Sequence, residues 1–245
     1  MSRILVPLLL LAACKAKPSE EELTRRYNAA VKQAIADAAP TYQLFTTMRG
    51  ALSTETPTCS GPPPPGVLRI SWGKLKALTG DPVDRFGTLI ADEPSPNDPD
   101  ARRLSDPNDG GGDWNSNEID GLPSPGQVAT GATESMEIEI KKTTAARSAA
   151  VQAAAGYLVQ TIDAYKAPQL VESSPGKSGF VAGQIDGRIV MFAKDGKPGC
   201  HYSYSATNKS SVESWVNYNG GLKAGIVRDI KVEMTRSIIA ALAGK

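Results

Sequence analysis

Apolar positions recur along this chain with two periods, one helical and one extended. Leu23, Tyr27, Val31 and Ile35 return every fourth residue and draw one apolar stripe along a helix. Ser19 followed by Glu22 is a capping-box spacing, and Glu20 and Glu21 suit the positive end of that helix. Pro40 should kink or restart it, and Tyr42, Leu44, Phe45, Met48 and Leu52 predict a second helical piece. At the far end Leu222, Ile226, Ile230, Met234, Ile238 and Leu242 recur every four residues up to Gly244, the mark of a long amphipathic helix. Between these lie "FVAGQIDGRIVMFAK" and "KPGCHYSYSA", two β-rich runs joined at Asp195-Gly196, which predict an antiparallel hairpin with a type I′ turn. Gly183 and Gly187 in its first arm predict a bulge or a strong bend.

Other segments fit more than one template. In "VLRISWGKLKAL" Leu68, Ile70 and Trp72 alternate like a strand, yet Leu68, Trp72, Leu75 and Leu78 mark a helical face, and helix is the reading adopted. Met136, Ile138 and Ile140 alternate with Glu137 and Glu139 and predict a short strand, with the start of a helix as the rival. "TTAARSAAVQAAAG" predicts an alanine-rich helix closed by Gly156, with "YLVQTID" as a strand after it and "SVESWVNY" as another further on. "STETPTCSGPPPPG" reads as a linker in which Pro62 to Pro65 form a stiff polyproline segment. Residues 92–131 hold six prolines, six glycines and nine acids, too little apolar surface to offset their ordering entropy, so a long, partly disordered acidic loop is predicted there. Helices on either side of a mostly antiparallel hairpin or meander sheet make a single α+β domain over residues 19–245.

Composition narrows the function classes. Aromatics make up 6% of the chain, so the core must be largely aliphatic, and a formal charge of +1 gives no global attraction to nucleic acid.

The first residues change the picture most. Arg3, the apolar run Ile4 to Leu11 and the small residues Ala12 and Ala13 follow the order of a secretory leader. That run is about half the ~20 residues a membrane-spanning helix needs. Its end, Leu11-Ala12-Ala13-Cys14, resembles the lipobox of bacterial lipoproteins. The resemblance implies removal of residues 1–13, a diacylglyceryl group on the Cys14 thiol, and residues 14–18 as lipidated cysteine and short tether; two or three acyl chains give durable attachment. Lys15, where an aspartate would favour the inner membrane, leans by the same resemblance towards the outer membrane of a Gram-negative envelope. Cys59 and Cys200 then remain as an even pair in an oxidising compartment, which predicts a disulfide; no CxxC or paired histidine favours metal or thiol chemistry instead.

Candidate chemistry is thin. His201 is the one histidine, and no GxSxG elbow accompanies it, so an outward side chain on the sheet is preferred over a catalytic base. Asp113, Asn115 and Asn117 take the first, third and fifth places of a calcium loop, but Glu118 and Ser124 break the rest of the pattern, so a solvated turn is preferred. Trp72, Trp114 and Trp215 offer stacking surface for sugars, Trp114 above all because it sits in the polar loop. The expectation is a lipid-anchored cell-envelope protein without cofactors, acting as a binding, scaffolding or assembly component. Its partners would be the membrane through the lipid on Cys14 and an envelope protein or glycan; the alternatives are an envelope hydrolase with a dispersed site and a calcium-binding module.

Overall fold

A computed structural model describes residues 18–80, 119, 121–174, 177–209 and 221–244. They form an α+β fold, with five helices and a four-stranded mixed sheet among them. Helix α1 (Glu20–Asp37) starts where Ser19 accepts the Glu22 N–H on its hydroxyl at 3.2 Å, and it buries Tyr27, Ala30, Val31 and Ala34. The chain restarts as α2 (Ala39–Ala51) with Pro40 in its first turn, where a missing N–H costs nothing.

The ambiguous "VLRISWGKLKAL" satisfies both templates in turn rather than one helix throughout. It gives β1 (Val67–Ile70) and then α3 (Trp72–Thr79). Ser71 is the switch, because its hydroxyl accepts the Lys74 N–H at 3.3 Å and caps the new helix. The strand predicted at Met136, Ile138 and Ile140 is absent: these residues lie in α4 (Glu134–Ala153). Glu137 favours the outcome, since it pairs with Lys141 one turn ahead, a spacing that a helix closes, and with Arg26 of the adjacent α1. Gly156 does not close that helix either. It begins β2 (Gly156–Lys166), and a Cβ there would lie 2.6 Å from the Phe192 carbonyl oxygen, so the glycine serves a close strand approach.

The remaining strands are β3 (Gln169–Ser174), β4 (Lys177–Val181), β5 (Gln184–Ala193) and β6 (Pro198–Thr207), and the last helix is α5 (Gly221–Leu242). The main sheet runs β1-β2-β5-β6 and β3 pairs with β4 separately. The hairpin β5–β6 is antiparallel as expected, whereas β1 lies parallel to β2, with α3 and α4 between them in the chain. The turn differs from the one predicted. Gly196 has φ +80° but Asp195 does not enter that region, so a type I′ turn is excluded and the chain makes a longer turn closed by Ala193 N–H to the Lys197 carbonyl at 2.9 Å. The bulge lies in β2 between Ile162 and Ala164, opposite Gly187 of β5.

Alternation sends β5 residues to two different cores. Val190 and Phe192 join Leu68, Ile70, Tyr157 and Val159 beneath Phe45, Met48, Leu75 and Leu78 of α2 and α3. Ile185 and Ile189 join Leu158, Tyr202, Tyr204 and Ala206 against Ile230, Met234, Ile238 and Leu242 of α5. The end of the acidic segment is also packed. Ile119 and Leu122 are 4% exposed in the first core, and Tyr42 donates its hydroxyl to the Pro123 carbonyl at 2.8 Å. Residues 92–118, predicted to be a loop, and "SVESWVNY" at 211–218 lie outside the described residues.

Candidate functional site

Two places concentrate polar chemistry. The first is the outer edge of β6, where the segment expected to be a free linker is strapped down. His201 donates its N–H to the Pro57 carbonyl and accepts the Cys59 N–H on its own carbonyl, both at 2.9 Å, so residues 57–59 add a short parallel bridge to the sheet edge. The Cys59–Cys200 disulfide forms beside this bridge with a Cα–Cα distance of 5.0 Å. Tyr202 donates its hydroxyl to the Gly61 carbonyl at 2.7 Å, and the Thr56 hydroxyl lies 3.0 Å from His201 Nδ1. Further along, Ser237 of α5 accepts the Ser205 N–H at 3.2 Å. An edge strand is thereby covered at two levels, which removes a template for pairing with another chain.

His201 is therefore held inside this strap and does not stand free on the sheet. Among the described residues its imidazole has no hydrogen-bond partner besides Thr56, and no group of three His, Cys, Asp or Glu is placed to hold a metal ion. A threonine hydroxyl next to an imidazole is the beginning of a nucleophile–base pair, but the third member that would orient the base is missing from these residues. The hydrogen bond between them helps fix the strap.

The second place is a cleft of about 260 Å³ between α1 and α4. Small side chains leave it open: Ala34, Ala38 and Ala145 form its walls, while Asp37 and Lys141 line it with opposite charges. Thr144 also lines it, is 1% exposed, and its hydroxyl has no hydrogen-bond partner among the described residues. Ser148 is occupied by the Thr41 hydroxyl at 2.6 Å. Such a space has room for several waters or a small polar molecule. Beside it, burial pulls the Glu137 carboxyl up, but hydrogen bonds from Lys141 and Arg26, reinforced by their charges, outweigh this and hold it below the usual carboxylate range.

Deeper in the second core, Tyr204 donates to the Thr161 carbonyl at 2.6 Å and receives the fully buried Gln160 amide at 3.1 Å. Burial raises the Tyr204 phenol well above its ordinary value, against the opposing effect of the Gln160 bond and with help from the charges of Asp163 and Asp186. This network locks three strands together and is shielded from ligands.

Of the residues singled out in the sequence that are described, the Cys59–Cys200 pair and His201 come together. Cys14 and the calcium candidates Asp113, Asn115 and Asn117 lie outside the described residues, as do Trp114 and Trp215, while Trp72 opens α3. The cleft was not read from the sequence, although its alanines stand in plain view. Alanine in a helix reports propensity, and only the neighbouring helix shows whether it leaves a space. No helix among the described residues is long and apolar enough to cross a membrane. Compared with known proteins, the chain matches no family model, no curated protein and no solved structure.

Proposed function

We propose that this chain is an exported, lipid-anchored protein of the cell envelope that acts as a binding, scaffolding or assembly component. The observation that carries the reading is the leader ending in Leu11-Ala12-Ala13-Cys14, a thiol placed where lipoproteins take their lipid. The Cys59–Cys200 disulfide supports it, because such a bond persists in an oxidising compartment such as the envelope. By this reading the domain is 19–245, held within a few residues of the bilayer, and its further partner is an envelope protein or glycan. Lys15 favours the outer membrane where the host has one.

Expression of the full chain with an alkyne analogue of palmitate tests the anchor. Label should appear on the protein, vanish in Cys14→Ser, and coincide with a mature mass that begins at Cys14. An unlabelled protein retaining its leader would remove the reading. For the binding role, mild crosslinking in membranes should recover a partner whose yield depends on an intact Cys14. The rival is an envelope hydrolase starting from the Thr56–His201 pair; turnover of generic ester, glycoside or peptide substrates that His201→Ala abolishes would replace the binding role.

A further inference from the structure

Large apolar side chains stand exposed at four places among the described residues: Val128 at 72%, Ile138 at 67%, Val181 at 43% and Met136 at 37%. Three of the four fall between residues 128 and 138, and that stretch is fastened along the first half of α1. Asn28 clasps Ala129 twice, donating to its carbonyl at 3.4 Å and accepting its N–H at 3.0 Å. Arg26 pairs with Glu137 at 2.8 Å, and a Cβ on Gly131 would lie 3.3 Å from the Glu20 carboxylate. Further along, Thr41 of α2 meets Ser148 of α4, so α4 advances in the same direction as the α1–α2 pair. The starts of α1 and α4 therefore lie at one end of the molecule, with Met136 and Ile138 in the first two turns of α4 and Val128 next to Ala129, level with the middle of α1. Three residues, Lys15 to Lys17, separate Cys14 from Pro18, an extended reach of at most about 14 Å.

We propose that this flank, the first halves of α1 and α4 with Val128, Met136 and Ile138, is a bilayer-contact surface that touches the boundary between headgroups and acyl chains once Cys14 is lipidated. The inference rests on the lipid-anchor reading above. Three side chains are too few to hold a free protein on a membrane, but a short tether makes the second contact intramolecular, and weak apolar contacts then suffice. Attraction to anionic headgroups is not the driving force. The first turns of α1 and α4 are acidic, with Glu20, Glu21 and Glu22 on one and Glu134 and Glu137 on the other. The contact fixes the body's orientation, with the α1–α4 cleft rising from the membrane.

The test uses the full lipidated chain in vesicles of phosphatidylethanolamine and phosphatidylglycerol that contain a lipid with a photoreactive diazirine in its acyl chain. Crosslinked peptides are mapped by mass spectrometry, and the acyl groups on Cys14 are weighed in the same sample. Label should concentrate in residues 128–138, fall by about threefold or more in Val128→Asp/Ile138→Asp, and stay constant as salt is raised. Circular dichroism checks that the variant is folded, with Val128→Ser/Ile138→Ser as the milder replacement. An acylated chain labelled elsewhere, or not labelled at residues 128–138, overturns the inference and leaves the anchor standing. A Cys14 without acyl groups overturns both.

Discussion

A methyl group at position 187 would strike three atoms at once. A Cβ built there lies 2.2 Å from the Thr161 carbonyl oxygen, 2.5 Å from the Tyr204 hydroxyl oxygen and 2.6 Å from Tyr204 Cζ. The missing side chain lets the Tyr204 ring lie across β5 and reach Thr161 on β2. Gly187→Ala must therefore part β2 from β5 locally or lift the ring. Overpacking of this kind costs about 1–3 kcal/mol, and leaving the buried partners of the Tyr204 hydroxyl short of hydrogen bonds costs about 1–3 kcal/mol more. The expected loss is about 4 kcal/mol, a large share of what a domain of this size commonly has. Urea unfolding followed by circular dichroism measures it, provided the slope with denaturant is unchanged. Tyr204→Phe alone should cost about 1–2 kcal/mol, and the double variant should lose less than the sum because both changes remove the same bond. A Gly187→Ala protein within about 1 kcal/mol of its parent, or strict additivity in the cycle, would refute the reasoning.

Three further outcomes follow from the same geometry. Joint replacement of Cys59 and Cys200 by alanine opens a loop whose ends are 141 positions apart; the chain-entropy argument gives about 5 kcal/mol as an upper figure, and thermal unfolding with and without a thiol reductant should show a loss of at least ~2 kcal/mol. Stability should fall at alkaline pH: burial pushes the Tyr42 phenol from 10.0 to about 12, so the unfolded chain releases its proton first. The contribution is complete below pH 10 and lost as pH rises towards 12, with a limiting slope of about 1.4 kcal/mol per pH unit for one group, and denaturation curves of Tyr42→Phe should be flatter in that window. Thr144→Val removes a buried hydroxyl that has no partner among the described residues and should be neutral or stabilising by up to about 1 kcal/mol; clear destabilisation in the same unfolding assay would mean that the hydroxyl is engaged by something bound in the cleft.

Where one period spoke alone, the chain's own pattern was sufficient. The stripe from Leu23 to Ile35 and the one from Leu222 to Leu242 each became a helix, because every core residue they need lies on one side of a single element. Where two periods competed, local information ran out. The alternation at Met136, Ile138 and Ile140 is that of a strand, but it lost to Glu137, whose partner Arg26 is 111 positions away. The parallel strand β1 was equally hidden, since its four residues gain strand geometry only from pairing with β2 across a long connection.

By itself the sequence determined the α+β class and the covalent link between Cys59 and Cys200, which depend on residue type, parity or short-range order, and it alone carries the proposal of an anchor at Cys14. Only the tertiary structure decided that residues 56–61 cover the β6 edge and that His201 is held within that strap. It also decided that alanines of α1 and α4 leave a cleft, and that the stretch holding Val128, Met136 and Ile138 is fastened along the first half of α1. The reason is one of range: periodicity reports which side of an element is apolar, whereas the identity of what faces that side is fixed by contacts between residues far apart in the chain.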